Sequence, residues 1–224
     1  MTNPDDFLAF LRQRHSVRAF LPAPVPQAVL ARVVEAAITA PSSTNRQPWR
    51  FAVVTAPPLR RSLAAAVRAR TDEMKTVIGR SHHAQDFGGY ADCFHEPLES
   101  AAAIIIPQYR EYPDLIAQLI ASGGGDPSAF STAASMQAEL CSASAATMTL
   151  LLQAHAEGLG ACWMAGPMVA KREVEALLAI REPWRMLGAV ALGYPAGPVP
   201  PRPRKPAQQV TTWFEDGETS GRTP

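Results

Sequence analysis

Hydrophobic positions along the chain fall into helical and strand-like periods separated by proline- and glycine-rich breaks. Phe7, Phe10 and Leu11 recur at helical spacing, which predicts a first helix capped by Asp5 and ending near Arg14. Pro22, Pro24 and Pro26 predict an extended connector, and Pro26 is placed to open a second helix. That helix carries Val29, Leu30, Val33, Val34, Ala37 and Ile38 on its apolar side and stops before Pro41. Phe51 to Thr55, rich in β-branched residues and bounded by Pro48 and Pro57, predicts a short buried strand. Leu59, Leu63, Val67 and Met74 space a third helix, with Arg60, Arg61, Arg68 and Arg70 on its wet faces.

The middle of the chain is less regular. Ser81 to Pro97 has no clean period and reads as a long excursion of the kind that often covers a site. Ala101 to Ile106 predicts a strand, and the glycine run from Ser122 to Ser128 is the stretch expected to move. Met136, Leu140, Ala143, Thr147, Leu150, Leu151 and Ala154 mark a long helix that Gly158 ends. Gly160 to Met164 then predicts a strand, Lys171 to Ile180 a short amphipathic helix, and Leu187 to Gly193 a final apolar strand. Six prolines between Pro195 and Pro206 disfavour helix and central strand alike, so the tail is expected to run as an extended arm along its own subunit or over a partner.

Composition narrows the class. The 224 residues are 47% hydrophobic and 18% charged with a net charge of +1, which reads as one globular domain over residues 1–224. Within it, residues 82–132 form a variable excursion and residues 195–224 the arm. The near balance of charge gives no electrostatic case for nucleic acid or an anionic membrane as partner. Leu140 to Ala154, the least charged stretch, is short for a bilayer and carries hydroxyl side chains, so it predicts a buried helix and no membrane span. Three widely spaced cysteines and a start without a basic-then-apolar leader point to a reducing cytoplasm.

Two segments gather chemistry. Arg14, His15, Ser16 and Arg18 supply guanidinium forks, an imidazole and a hydroxyl, types that match a phosphate and the carbonyl edge of an aromatic cofactor. A solvated helix end with cations near the negative end of the dipole accounts for the same residues. Ser42, Ser43, Thr44 and Asn45 form a polar loop ahead of Gln47-Pro48-Trp49, and turn chemistry explains at least two of these four. Trp49 is expected to anchor the loop in the core. His82, His83, Cys93 and His95 match no tight zinc spacing, so no metal is assigned, and Cys162 reads as a small apolar filler. No glycine fingerprint for a resident dinucleotide is present.

Taken together, four motifs resemble the FMN-dependent nitroreductase family: Arg14 to Phe20, Ala40 to Phe51, Gly158 to Trp163, and Leu192 to Pro195 followed by Arg202-Pro203-Arg204. They occur in the family's order and span almost the whole chain, while Arg70 to Ser135 matches little. The resemblance implies an α+β fold, with a central mainly antiparallel sheet flanked by helices and an extended C-terminal arm exchanged in a homodimer with FMN at the subunit interface.

Carried over by position, Arg14, His15 and Ser16 would meet the phosphate and ribityl chain, and Arg18 would sit near flavin N1 and O2. Arg202 and Arg204 would close on the phosphate. Ser42, Ser43 and Asn45 would reach the flavin from the other subunit, and the backbone at Ala165 and Gly166 would approach N5. Some members carry Glu where this chain has Ala165, a change expected to leave room over the ring. The implied activity is reduction of nitroaromatics, quinones or a similar small-molecule acceptor by NADH or NADPH through the flavin, with no catalytic side chain assigned. Two alternatives stand beside it. One is a flavin-dependent enzyme of another class on this fold, acting by flavin fragmentation or on a specialised metabolite; the other is a non-catalytic FMN-binding module.

Overall fold

The computed structural model describes residues 3–82, 91–200 and 202–214. Its helices are α1 (Pro4–Gln13), α2 (Gln27–Ala37), α3 (Pro57–Ile78), α4 (Glu96–Ser100), α5 (Leu115–Ser122), α6 (Ala138–Ala156) and α7 (Lys171–Leu177). The strands are β1 (Trp49–Val54), β2 (Ala103–Arg110), β3 (Gly160–Met164), β4 (Trp184–Met186) and β5 (Ala189–Gly193). They form one sheet in the order β1-β2-β5-β3, with β4 also paired to β2, and every pairing is antiparallel. This is the α+β architecture expected.

Strand periodicity sorts the core into two layers. Ile104 and Ile106 of β2 face Leu63, Ala64 and Val67 of α3 together with Val174 of α7. Their neighbours Ala103 and Ile105 face the other way, onto Leu30, Val33 and Ala37 of α2 and Leu150, Leu151 and Ala154 of α6. The low-charge helix is thus a buried spine, with Ser142, Thr147 and Thr71 of α3 returning their hydroxyls to carbonyls four residues back. Among the described residues no helix is long and apolar enough to cross a membrane.

Several expectations change. The first helix is capped by Asn3, whose side chain accepts from the Asp5 N–H at 3.0 Å, because Pro4 takes the first helical position and pushes the cap back. β1 is an edge strand in which only Trp49 and Val54 are buried, so the run is half wet where full burial was expected. β2 extends through Pro107 to Arg110. The proline is tolerated because β5 pairs with residues 103–105 and β4 with 108–110, leaving Pro107 at the changeover, where its carbonyl accepts from Leu187 N–H at 2.8 Å. This central strand divides the 82–132 span, so the excursion is two pieces around a core element. The glycine run caps α5: Gly123, Gly124 and Gly125 donate back to Leu119, Ala121 and Ile120, and Gly124 takes φ +80°. α5 and β4 have no counterpart in the sequence reading.

Within the second layer, α2 and α6 are tied at the surface by Arg32 of α2, whose guanidinium meets Glu157 at 2.8 and 2.7 Å at the end of α6. Hydrogen bonds from Arg32 and then Gln153 hold the Glu157 carboxyl well below its ordinary 4.5, at about 2. A depressed carboxylate contributes stability that is complete above its unfolded value and is lost as pH falls through the folded one. Glu157→Gln should therefore flatten the loss of thermal stability between pH 4.5 and about 2. Identical acid titrations of the two proteins, followed by circular dichroism, would contradict this tie.

Candidate functional site

Residues 16–21 form a strip laid along β3 and the end of β5. Ser16 bridges Ala161, Val17 N–H donates to the Ala161 carbonyl at 3.1 Å, and Leu21 N–H donates to Tyr194 at 2.8 Å. Gly160 permits the approach, since a Cβ there would stand 2.7 Å from the Val17 side chain. On the other side the strip meets the start of the arm, where Phe20 bridges Pro195 and Ala196 N–H donates to Ala19 at 3.0 Å. The Arg14–Arg18 motif and the tail are therefore neighbours because both lie across the ends of the same two strands.

A cavity of about 930 Å³ opens over the strip, lined by His15, Ser16, Arg18, Cys93, Arg202 and Arg204 with backbone from residues 196–200. That volume falls in the range of roughly 300–1,000 Å³ usual for cofactor and small-molecule sites. Its lining holds three guanidiniums and an imidazole and, among the described residues, no carboxylate. Neither Arg18 nor Arg202 nor Arg204 is ion-paired among the described residues; Arg18 makes only a 3.4 Å contact to the Ser16 carbonyl. Concentrated, unneutralised, forked donors of this kind recognise a phosphate or another oxyanion.

Arg14 is set apart from this group. It lines a smaller cavity of about 280 Å³ that shares His15, Val17, Gly197 and Val199 with the first and has His155 on its far wall. Burial, then the charges of Arg14 and His15, push the His155 imidazole below its ordinary range, and its ring lies 4.8 Å from that of Phe10 in α1. Cys162 is buried in the sheet beside Ser16 and Arg18, and burial pushes its thiol up, in keeping with a filler.

The second segment lies elsewhere in this chain. None of Ser42, Ser43 and Asn45 reaches the cationic cavity; Ser43 lines a pocket of about 190 Å³ with Thr44, Arg46, Tyr112, Asp114 and Glu139. Turn chemistry takes much of the loop, as Ser42 Oγ accepts from Gln47 N–H at 3.0 Å and Thr44 Oγ1 donates to the Ser43 carbonyl at 2.8 Å. The loop is also held from outside. Ser43 N–H donates to Ser142 Oγ at 3.2 Å, Arg46 meets the buried Glu139 at 3.0 Å, and Trp49 packs against Ala143 and Ala146. Thr44, Asn45 and Gln47 all hold φ near +50°, a costly state for side-chain-bearing residues that persists only where surroundings enforce it.

Ala165 and Gly166 follow β3, outside the lining of the large cavity. Gly166 is closely packed on one side: a Cβ built on it would stand 2.4 Å from the Phe94 ring. Phe94 and Cys93 belong to a short 3-10 turn, Ala91–Phe94, inside the segment that lacked any period. Sequence reasoning weighed Cys93 only as a metal ligand and passed over Phe94, because one turn is too short for periodicity to register. His95 is also committed, buried with Nδ1 2.8 Å from Glu99, and His83 lies outside the described residues. Among the described residues no cluster suited to a metal ion is present.

Residues 11–194 match the nitroreductase family. Over 207 residues the chain is 31% identical to an NADH dehydrogenase of Thermus thermophilus, a match covering 90% of this chain and 92% of that protein. Its fold is similar to that of a BluB-like flavoprotein from Clostridium difficile 630, with a TM-score of 0.82 at 21% identity over 93% of this chain and 99% of the other. It is also similar to an iodotyrosine deiodinase solved with FMN and 3-iodo-L-tyrosine, with a TM-score of 0.68 at 22% identity over 89% and 95% of the two chains. The match across most of its length and the long alignment to a relative above 30% identity show that this chain belongs to the nitroreductase family.

Proposed function

We propose that this protein is an FMN-dependent oxidoreductase that takes reducing equivalents from NADH or NADPH and passes them, in a ping-pong cycle, to a flat electron-poor acceptor such as a nitroaromatic or a quinone. The observation that carries the reading is the convergence of Arg18, Arg202 and Arg204 with His15 and Ser16 on one cavity to which no described residue brings a carboxylate. FMN offers the complementary groups: a phosphate for the arm's arginines and an electron-rich pyrimidine edge for Arg18. When bound, it supplies hydride acceptance and donation at N5. The protein's own groups bind, orient and tune. His15 and Ser16 would hold the phosphate and ribityl, with Arg14 adding charge from the adjoining cavity, and the backbone at Ala165 and Gly166 would serve the N5 edge.

The same reading takes the active unit to be a homodimer. α1 has no buried residue, leaving Phe7 50% exposed, and within the arm Trp213 and Phe214 are 72% and 75% exposed. Apolar surface of this kind marks an interface. Since Ser42, Ser43 and Asn45 lie apart from the cationic cavity in one chain, the partner subunit's Ser42, the partner subunit's Ser43 and the partner subunit's Asn45 complete each site, with the arms exchanged over it. A cytoplasmic location, where reduced nicotinamide is supplied, goes with this activity.

The test is anaerobic reduction. FMN-loaded protein mixed with excess NADH or NADPH should bleach, and a nitroaromatic or quinone added afterwards should restore the colour. Loaded protein that stays yellow with both nicotinamides would reject the proposal. Ala165, exposed where some members carry Glu, favours a second reading, a flavin-dependent enzyme of another class on this fold. Consumption of the protein's own FMN under oxygen would select it, whereas a non-catalytic binding module would hold FMN and turn over nothing.

A further inference from the structure

The Ala91–Phe94 turn lies in none of the four motifs. It packs on α3 and on the 3-10 turn Gly166–Ala170 that follows β3. Its two last side chains point to two parts of one region. Cys93, half-buried, lines the cationic cavity with Ser16, Arg18 and Arg204. Phe94 lies so close to Gly166 that the ring takes the space a Cβ would need, with three of its atoms 2.4, 2.5 and 2.9 Å from that position.

Resting on the FMN reading above, we propose that the Ala91–Phe94 turn is a wall of the flavin site within the subunit. The Cys93 thiol contacts the cofactor on its Arg18 side, and Phe94 acts as a positioning residue that fixes the Ala165–Gly166 backbone against the N5 edge. The argument is steric. Neither the exposed Ala165 nor Gly166 brings a buried side chain to the peptide between them, although Pro167 and Ala170 anchor the turn that follows, and the Phe94 ring packed at the glycine supplies the constraint at that peptide. The wall also explains how this chain does without a carboxylate at Ala165: the surface beside Gly166 is aromatic and apolar, so an acceptor that is flat and uncharged at that edge is favoured over one needing a proton or a hydrogen bond there. An N–H aimed at N5 is satisfied only while the oxidised ring presents a lone pair, so loosening that backbone raises the midpoint potential.

The three cysteines make the test internal to one protein, because Cys93 is half-buried, Cys141 exposed and Cys162 buried. Purified protein is stripped of flavin and titrated with FMN while uptake is followed by quenching of flavin fluorescence. Alkylation of each cysteine by iodoacetamide is then timed by peptide mass spectrometry, with and without saturating FMN. The proposal expects Cys93 to slow by at least about tenfold on FMN binding, with Cys141 unchanged and Cys162 unreactive throughout. FMN uptake with Cys93 slowed no more than Cys141, or with Cys93 slowed only in parallel with Cys162, overturns the wall and leaves the flavin reading standing. No uptake of FMN removes both. Phe94→Ala gives the positioning half its own readout: the midpoint potential of bound FMN should rise while FMN affinity changes by less than about threefold. A folded Phe94→Ala protein with unchanged potential overturns that half.

Discussion

Gly160→Ala should destabilise the fold and weaken FMN binding together. The added Cβ would stand 2.7 to 2.8 Å from three atoms of Val17, closer than packed atoms tolerate. Val17 has little room to yield, being buried with its N–H donated to Ala161, the residue after the substituted glycine. Overpacking of this kind costs about 1–3 kcal/mol. The strip from Ser16 to Arg18 would lift away from β3, and because Arg18 and Ser16 line the cavity, the loss extends from stability to cofactor. Chemical denaturation and FMN titration of the same variant measure the two effects. A Gly160→Ala protein of normal stability that binds FMN normally would show that the strip is not positioned by β3.

Arg18→Ala should slow flavin reduction by NADH or NADPH far more than it weakens FMN binding. FMN bound there would supply hydride acceptance, with negative charge gathering on its pyrimidine side, and Arg18 would hold a fixed cation against that charge. Removing one preorganised donor to developing charge costs about 10²–10³ in rate. Binding is shared with His15, Ser16, Arg202 and Arg204, so the affinity falls less. The predicted signature is a lower midpoint potential and slow stopped-flow bleaching in a protein that still loads with FMN. An unchanged potential would reject the assignment of Arg18 to the N1 and O2 side.

Both predictions concern residues that the sequence brought forward, and the reason is physical. The Arg14–Arg18 cluster and the late arginines are local runs of charge, visible without any knowledge of packing, and the strands that bring them together announce themselves through Gly160 and the apolar runs of β3 and β5. The spine helix α6 was likewise legible as a low-charge periodic stretch. What escaped was set by tertiary contact. β4 has only three residues and gains its strand character from pairing with β2. β2 was cut short because Pro107 reads as a strand breaker until its place between β5 and β4 is known. α5 was hidden for a different reason, since eight residues flanked by turns, with only Gln118 and Ser122 polar, are too few for a helical period to register.

The cavity shows the same division. Its cations could be assigned to it from sequence, but Cys93, weighed there only as a metal ligand, and Phe94 could not, because their place comes from where one turn lands beside the cavity and Gly166. The Ser42–Asn45 loop was read correctly as partly turn chemistry, while its clamp by Arg46 and Glu139, ninety-three residues apart, has no local signal. The smaller cavity beside Arg14 was also out of reach, since it forms only when α1, α6 and the arm meet at His15 and His155.

The account turns on one claim, that the cationic cavity is half of an FMN site completed by a second subunit. Sedimentation velocity of the purified protein, followed at the visible flavin band as well as in the ultraviolet, tests it most directly. The account predicts a yellow dimer carrying one FMN per chain, with the flavin and protein boundaries moving together. A colourless protein that takes up no added FMN, or a yellow monomer, would contradict it.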